Sequence, residues 1–249
     1  MQNIEIIYED SDLVIINKPS GLLTHPRNES DANESVVSWF IELYPECAKV
    51  VDDFVGDDED IDYQKYAKIR PGIVHRLDKE TSGVLVLAKN KQALQYIKSQ
   101  FQNHTIQKTY LALSHGIAEV IKGSINLPIL SLGSKMTTKI DKNQIAQAKP
   151  AITDYTVLSR YAEGYTLFEA KPRTGRTHQI RVHLKAIGHP ILLDPLYGET
   201  RFKEPDNLSR LFLHASSITL STPSGKGLYV EADLPADLRD FLDSLTPIA

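Results

Sequence analysis

The chain has 249 residues, of which 41% are hydrophobic and 24% charged, and a formal net charge of -4. That length allows one sizeable core or two sub-domains sharing a sheet, and the lone cysteine, Cys47, excludes a disulfide framework and a cysteine metal cluster. No run approaches the ~18 consecutive apolar residues of a membrane span, and the opening MQNIEIIYED carries acid where a secretory signal carries base, so a soluble, cytoplasmic protein is expected.

In chain order, Ile4–Tyr8 and Leu13–Ile16 are short apolar runs around the polar turn Glu9-Asp10-Ser11-Asp12, which predicts a hairpin ended by Lys18-Pro19-Ser20-Gly21. Residues 34–44 read as a helix stopped by Pro45. An acidic loop is expected at about 46–68. It holds Glu46, Asp52, Asp53, Asp57, Asp58, Glu59, Asp60 and Asp62 against Lys49, Lys65 and Lys68, which leaves the rest of the chain near neutral. Residues 84–88 are a continuous apolar run, as in a strand buried on both faces. Asn90 is placed to cap a helix over 91–103, in which Leu94, Ile97 and Phe101 share one face. Strand patterns follow at 107–114, 151–159 and 164–171.

A second informative helix is predicted over 176–187, with Ile180, Leu184 and Ile187 as its apolar stripe and Gly188 at the position after its C-cap. Arg181 lies beside that stripe, so it can reach inward, while Lys185 and His178 continue onto the polar side. A last helix is expected over 236–245, after Pro235. Strands and helices mix without regular alternation, which predicts an α+β fold. Lys171, Arg173, Arg176, Arg181 and Lys185 occur between 171 and 185 with no acid among them, so local basic surface is available for phosphate despite the negative total.

Two segments carry the strongest signal. RPGIVHRLDKETSGVLVLAKN (70–90) resembles the catalytic loop of the RluA family of pseudouridine synthases, and RTGRTHQIRVHLKAIGHPILLDPLYG (173–198) resembles a second signature of the same family. NKPSGLLTHP (17–26) and RLFLHA (210–215) match as well, in the family's order, so the resemblance runs from about residue 4 to 240. It implies a pseudouridine-synthase fold: a mixed, mostly antiparallel sheet with flanking helices and a central RNA-binding cleft. It also implies one catalytic domain over 1–249 without an N-terminal S4-type domain. The activity implied is isomerisation of specific uridines in structured RNA, tRNA or rRNA. A monomer is expected, because no self-complementary stripe is visible in the sequence.

That reaction breaks the C1′–N1 bond of uridine, turns the base and rejoins it through C5. Nothing is oxidised, so no cofactor and no metal is expected. The resemblance implies that Asp78 is the catalytic carboxylate; attack on the sugar, attack on the base and removal of a sugar proton all stay open. It implies that Arg181 pairs with Asp78, since a neighbouring guanidinium keeps a carboxylate ionised, and that Tyr110, in Lys108-Thr109-Tyr110, stacks on the base. The target nucleotide has to be flipped out of its helix, and Arg76 resembles the family arginine that fills the vacated space. His75 is placed beside it with a substrate-binding or loop-packing role. Leu192 and Leu193 are candidates for an apolar wall under the uracil. Arg173, Arg176, His178 and Lys185 are candidates for substrate contact, with Lys135, Lys139 and Lys142 as a second basic patch in a loop.

Two alternatives are weak on the residues alone. A kinase loop reads His-Arg-Asp without the intervening Leu77, and the i, i+5 spacing of His178 and His183 puts them on different helix faces, unsuited to one metal. An RNA-binding or RNA-chaperone module on the same fold is the competing class. Against it stands the expected pairing of Asp78 with Arg181, because a pure binder has no use for a buried ion pair.

Overall fold

The computed structural model describes residues 4–26, 34–52, 70–133 and 135–248. Most of the expected acidic segment, 53–68, lies outside them. The chain divides into two compact units, 1–106 with 217–232, and 107–216 with 233–249.

In the first unit, β1 (Glu5–Glu9) and β2 (Leu13–Lys18) form the expected hairpin. Asp10 closes its turn by accepting the Asp12 and Leu13 N–H groups at 2.8 and 2.7 Å. β2 pairs antiparallel with β3 (Ser82–Ala88), from Leu13 opposite Ala88 to Lys18 opposite Gly83. Every residue of β3 is buried, which explains why its sequence is continuously apolar rather than alternating. α1 (Val36–Leu43) begins at Ser35, whose hydroxyl and that of Ser38 cap each other's backbone N–H. α2 (Lys91–Gln102) begins at Asn90, whose side chain accepts the Ala93 N–H at 2.9 Å. Leu94 and Ile97 are its buried stripe.

Between these elements Gly72 has φ 70° and donates to Val50 O at 2.7 Å, while its own carbonyl accepts Ala88 N–H at 2.9 Å. A Cβ there would stand 2.5 Å from Phe40 Cε1 and 2.8 Å from Ala88 O. Only glycine satisfies both the left-handed backbone and this approach.

In the second unit, β4 (Gln107–His115), β9 (Tyr165–Pro172) and β8 (Ile152–Tyr161) lie side by side, antiparallel throughout. β5 (Lys122–Asn126) and β12 (Pro247–Ile248) both pair with β8. Ala112, Leu113, Phe168, Leu184, Leu192, Phe212 and Phe241 are among the core side chains beneath. α3 (Gln179–Ala186) and α4 (Ala236–Asp243) supply Leu184 and Phe241 to it. A two-stranded ribbon, β6 (Leu130–Leu132) with β7 (Lys135–Thr137), carries Lys135 where a loop is predicted, and Lys142 begins a short 3-10 turn. The strand β10 (Leu213–Ser221) has its first half in the second unit and its second half in the first. In the first, Ser217–Ser221 pairs with β11 (Gly227–Glu231).

The helix predicted over 176–187 starts later, at Gln179, because His178 has φ 53° and cannot be helical. Gly188 keeps its predicted place, with φ 89°, after the C-cap Ile187. The last helix ends at Asp243, short of the expected 245.

Gly72→Ala is expected to lower stability by at least about 2 kcal/mol, since it forces both a steric overlap and a strained backbone. A urea denaturation midpoint measured on both proteins checks this.

Candidate active site

The loop that bears Asp78 is held from both sides within the first unit. Lys18 is fully buried, and its ammonium donates to Pro19 O at 2.9 Å, Leu22 O at 2.8 Å and Lys79 O at 3.1 Å. Ser20 Oγ donates to Glu80 O at 2.6 Å, and Gly21 N–H to Lys79 O at 2.8 Å. The Thr24 hydroxyl donates to Leu77 O at 2.8 Å and accepts from Leu77 N–H at 3.3 Å. The NKPSGLLT stretch is therefore a clamp on residues 77–80. Leu77 is buried at the base of the loop, Asp78 half-buried, and Arg76 exposed. Asp78 O also accepts the Thr81 N–H at 3.1 Å, a turn that leads into β3.

Histidines complete this support. His75 Nε2 accepts the Val86 N–H at 3.0 Å, and its ring stacks on Phe101 with centroids 4.7 Å apart. Its Nε2 is thus unprotonated, and the ring anchors the loop to β3. His25 Nδ1 donates to Pro26 O at 2.7 Å, so its Nε2 lone pair takes the contact from Arg70. Burial, then the charges of Arg70 and Arg76, push the His25 pKa down to about 4.

In the second unit the centre is Arg181, 1% exposed. The bidentate partner of its guanidinium is Asp194, which no pattern in the sequence singles out. Nε donates to Oδ2 at 2.8 Å and Nη2 to Oδ1 at 2.7 Å. Asp194 Oδ1 also accepts the Leu196 and Tyr197 N–H groups at 2.9 and 3.0 Å. The guanidinium lies over the Tyr197 ring, 5.2 Å from its centroid. A buried cation with one carboxylate fully engaged and an aromatic face beside it has one orientation open to it.

The segment before α3 folds around the buried amide of Gln179. Its Oε1 accepts from Thr174 Oγ1 at 2.7 Å and Arg176 N–H at 3.0 Å; its Nε2 donates to Ile152 O and Thr153 Oγ1, both at 3.0 Å. His183, also buried, accepts from that threonine at 2.9 Å through Nδ1 and donates to Leu127 O at 2.9 Å through Nε2. Burial lowers its pKa.

Other candidates fall in several places. Tyr110 is half-buried on β4, opposite Ala170, and packs against the core. Lys108, two residues before it on the same face, donates to Thr174 O at 3.1 Å, and burial brings its pKa down to about 8. His178, partly exposed, is engaged through Nδ1 by Tyr197 Oη at 2.8 Å. Arg173 makes a bidentate pair with Asp154, at 2.6 and 3.1 Å, and Arg176 Nε donates to Pro150 O at 3.1 Å. Lys185 is half-buried in the last turn of α3. Leu192 has no exposed surface and belongs to the core rather than to an open wall; Leu193 is half-buried. Among the described residues no cluster of His, Cys, Asp and Glu could hold a metal ion.

Residues 12–186 match the family described as RNA pseudouridylate synthase. The chain is 35% identical to the ribosomal large subunit pseudouridine synthase C of Buchnera aphidicola subsp. Acyrthosiphon pisum, over 96% of this chain and 70% of that protein. It is 34% identical to the uncharacterized RNA pseudouridine synthase YlyB of Bacillus subtilis, over 98% of this chain and 73% of that one. Among solved structures, human RNA pseudouridylate synthase domain containing 1 superposes with a TM-score of 0.73 at 26% identity, covering 100% of this chain and 90% of that one. The chain belongs to the RNA pseudouridine synthase family, in its RluA branch. It is an isomerase that converts uridine to pseudouridine in RNA, and the chaperone reading is not favoured.

Lys18→Met keeps the side chain's length but leaves buried carbonyls without a donor. It is expected to lower stability by roughly 2–4 kcal/mol and to reduce the rate of isomerisation through the loosened 77–80 loop. Urea denaturation and turnover measured on the same sample check both. His25 and His183 are held neutral in the fold, with pKa values below the unfolded value of 6.5. Their contribution is complete above pH 6.5 and is lost as pH falls below it, in the case of His25 toward about 4. Melting temperatures across that range should fall, and fall less in the His183→Gln variant.

Proposed function

We propose that the chain isomerises a uridine in a stem-loop of large-subunit ribosomal RNA, with Asp78 as the catalytic carboxylate and Tyr110 and Arg181 serving the same reaction. The observation that carries the reading is the clamp on the Asp78 loop. Three buried or half-buried donors of the 18–24 stretch, Lys18, Ser20 and Thr24, hold the carbonyls on either side of Asp78. A group that has to meet one atom of a flipped nucleotide benefits from such fixation, because misplacement of about 1 Å costs on the order of 100-fold in rate. The choice of ribosomal RNA rests on relatives such as the large-subunit enzyme of Buchnera.

The exposed Arg76 fills the space left by the flipped uridine, where a planar guanidinium can stack and hydrogen-bond together. Leu193 offers apolar surface to the base. Arg173, Arg176 and Lys185 contact phosphates on one side of the substrate, and Lys135, Lys139 and Lys142 on another. His75, His178 and Leu192 keep the site in shape from behind. The protein works as a monomer in the cytoplasm, where ribosomal RNA is made, and no helix among the described residues is long and apolar enough to cross a membrane.

The chemistry supplies the test. Rejoining the base through C5 expels the C5 hydrogen, so RNA transcribed with C5-tritiated uridine releases tritium as it is modified. Release from large-subunit RNA by the wild type, and none by Asp78→Asn with RNA binding retained, is the expected result. Release from transfer RNA alone would overturn the substrate and leave the catalytic assignment standing. Full release by Asp78→Asn would remove Asp78 from the chemistry.

A further inference from the structure

Leu193 has a left-handed backbone, φ 55°, which side chains of L residues disfavour. Its N–H donates to Glu204 Oε2 at 2.9 Å. The same oxygen is bonded by His115 Nε2 at 3.1 Å. His115 is 2% exposed at the end of β4, and its ring stacks on Phe202 with centroids 4.5 Å apart and planes 10° from parallel. Glu204 Oε2 is thereby held by His115 from β4 and by the Leu193 N–H at once.

The chain on either side of Leu193 shows what this hold achieves. Before it, Leu192 is locked into the sheet: its N–H donates to Leu113 O at 3.0 Å and its carbonyl accepts Phe212 N–H at 3.2 Å. After it, Asp194 N–H turns back onto Ile191 O at 3.3 Å, Asp194 O accepts Gly198 N–H at 3.0 Å, and the Asp194 carboxylate receives Arg181. Leu193 is the residue at which the backbone leaves the sheet and delivers Asp194. An extended backbone there would point the carboxylate elsewhere, since a single residue's change of basin redirects everything that follows it.

We propose that Glu204 is a positioning residue for the isomerisation: by holding the Leu193 N–H it maintains the left-handed turn that carries Asp194 to the Arg181 guanidinium. His115 fixes Glu204 in turn. The proposal rests on Arg181 serving the reaction. What Glu204 contributes is an accepting oxygen at a defined place rather than a charge. The amide introduced by Glu204→Gln offers such an oxygen, whereas the shorter carboxylate of Glu204→Asp withdraws it by one methylene.

The experiment is tritium release at saturating large-subunit RNA, on variants shown to be folded by their urea transitions. Glu204→Ala and Glu204→Asp are expected to lower kcat roughly 10-fold with KM changed by less than about twofold, and Glu204→Gln to stay within about threefold of wild type. Glycine adopts the left-handed basin without strain. In a Leu193→Gly background, whatever that background's own rate, adding Glu204→Ala should therefore cost less than about threefold. A loss as large in the Leu193→Gly background as in the wild-type background would overturn the proposal, as would a Glu204→Gln enzyme as slow as Glu204→Ala. Arg181→Lys separates this from the reading it rests on. If that variant turns over like wild type, the role of Arg181 fails. If it is slow while Glu204→Ala and Glu204→Asp are both unimpaired, the role of Arg181 stands and that of Glu204 fails.

Discussion

A guanidinium that is 1% exposed has lost its hydration on every side, and the second unit is organised around replacing it. Asp194 answers with both carboxylate oxygens, and two backbone N–H groups, from Leu196 and Tyr197, balance the charge on Oδ1. Pairs of this kind contribute little net stability, because desolvation of the two ions cancels much of their attraction. Their effect is on geometry: removing either partner strands the other, so the states in which the pair is broken are rare. That makes α3, which bears Arg181, and the 190–198 turn, which bears Asp194, a single mechanical piece.

The first unit meets the same requirement with different chemistry. Lys18 is buried without exposed surface, and three backbone carbonyls take its protons. Carbonyls are supplied by the chain's path rather than by a side chain, so the ammonium can hold its loop only if 18–22 and 79 are folded together. Formation of the turn that follows β2, at 19–22, and formation of the Asp78 loop are thus one event. An ion pair, by contrast, can be formed between side chains whose backbones are already settled. The loop that carries the carboxylate is in this sense built into the fold of its unit.

Much of this is legible in the sequence, for a physical reason. The hairpin, the buried strand read at 84–88, the cap at Asn90, and Gly188 after α3 are decided by neighbours within a few residues, and local chemistry announces them. The inward reach of Arg181 follows from its place beside an apolar stripe. Asp194, Glu204 and His183 were not legible, because each is defined by a partner 11 to 30 residues away. The late start of α3 was hidden for a related reason. Residues 176–178 fit a helix by pattern, but the buried amide of Gln179 captures Arg176 N–H and Thr174 Oγ1 and holds the chain in a turn. The 18–24 clamp was visible as a motif, yet its use of backbone acceptors left no trace in residue identity.

Three histidines of the motif segments are fixed by what their ring nitrogens meet. His183 has both ring nitrogens engaged, one accepting from Thr153 and one donating to Leu127 O. His25 is likewise fixed as a neutral ring between Pro26 O and Arg70. His75 cannot take a proton on Nε2 without losing its bond to Val86 N–H. Rings held in this way are poor proton carriers, since each protonation would break a buried hydrogen bond. His25, His75 and His183, although they stand in conspicuous motifs of the sequence, are therefore held as parts of the frame that carries their segments.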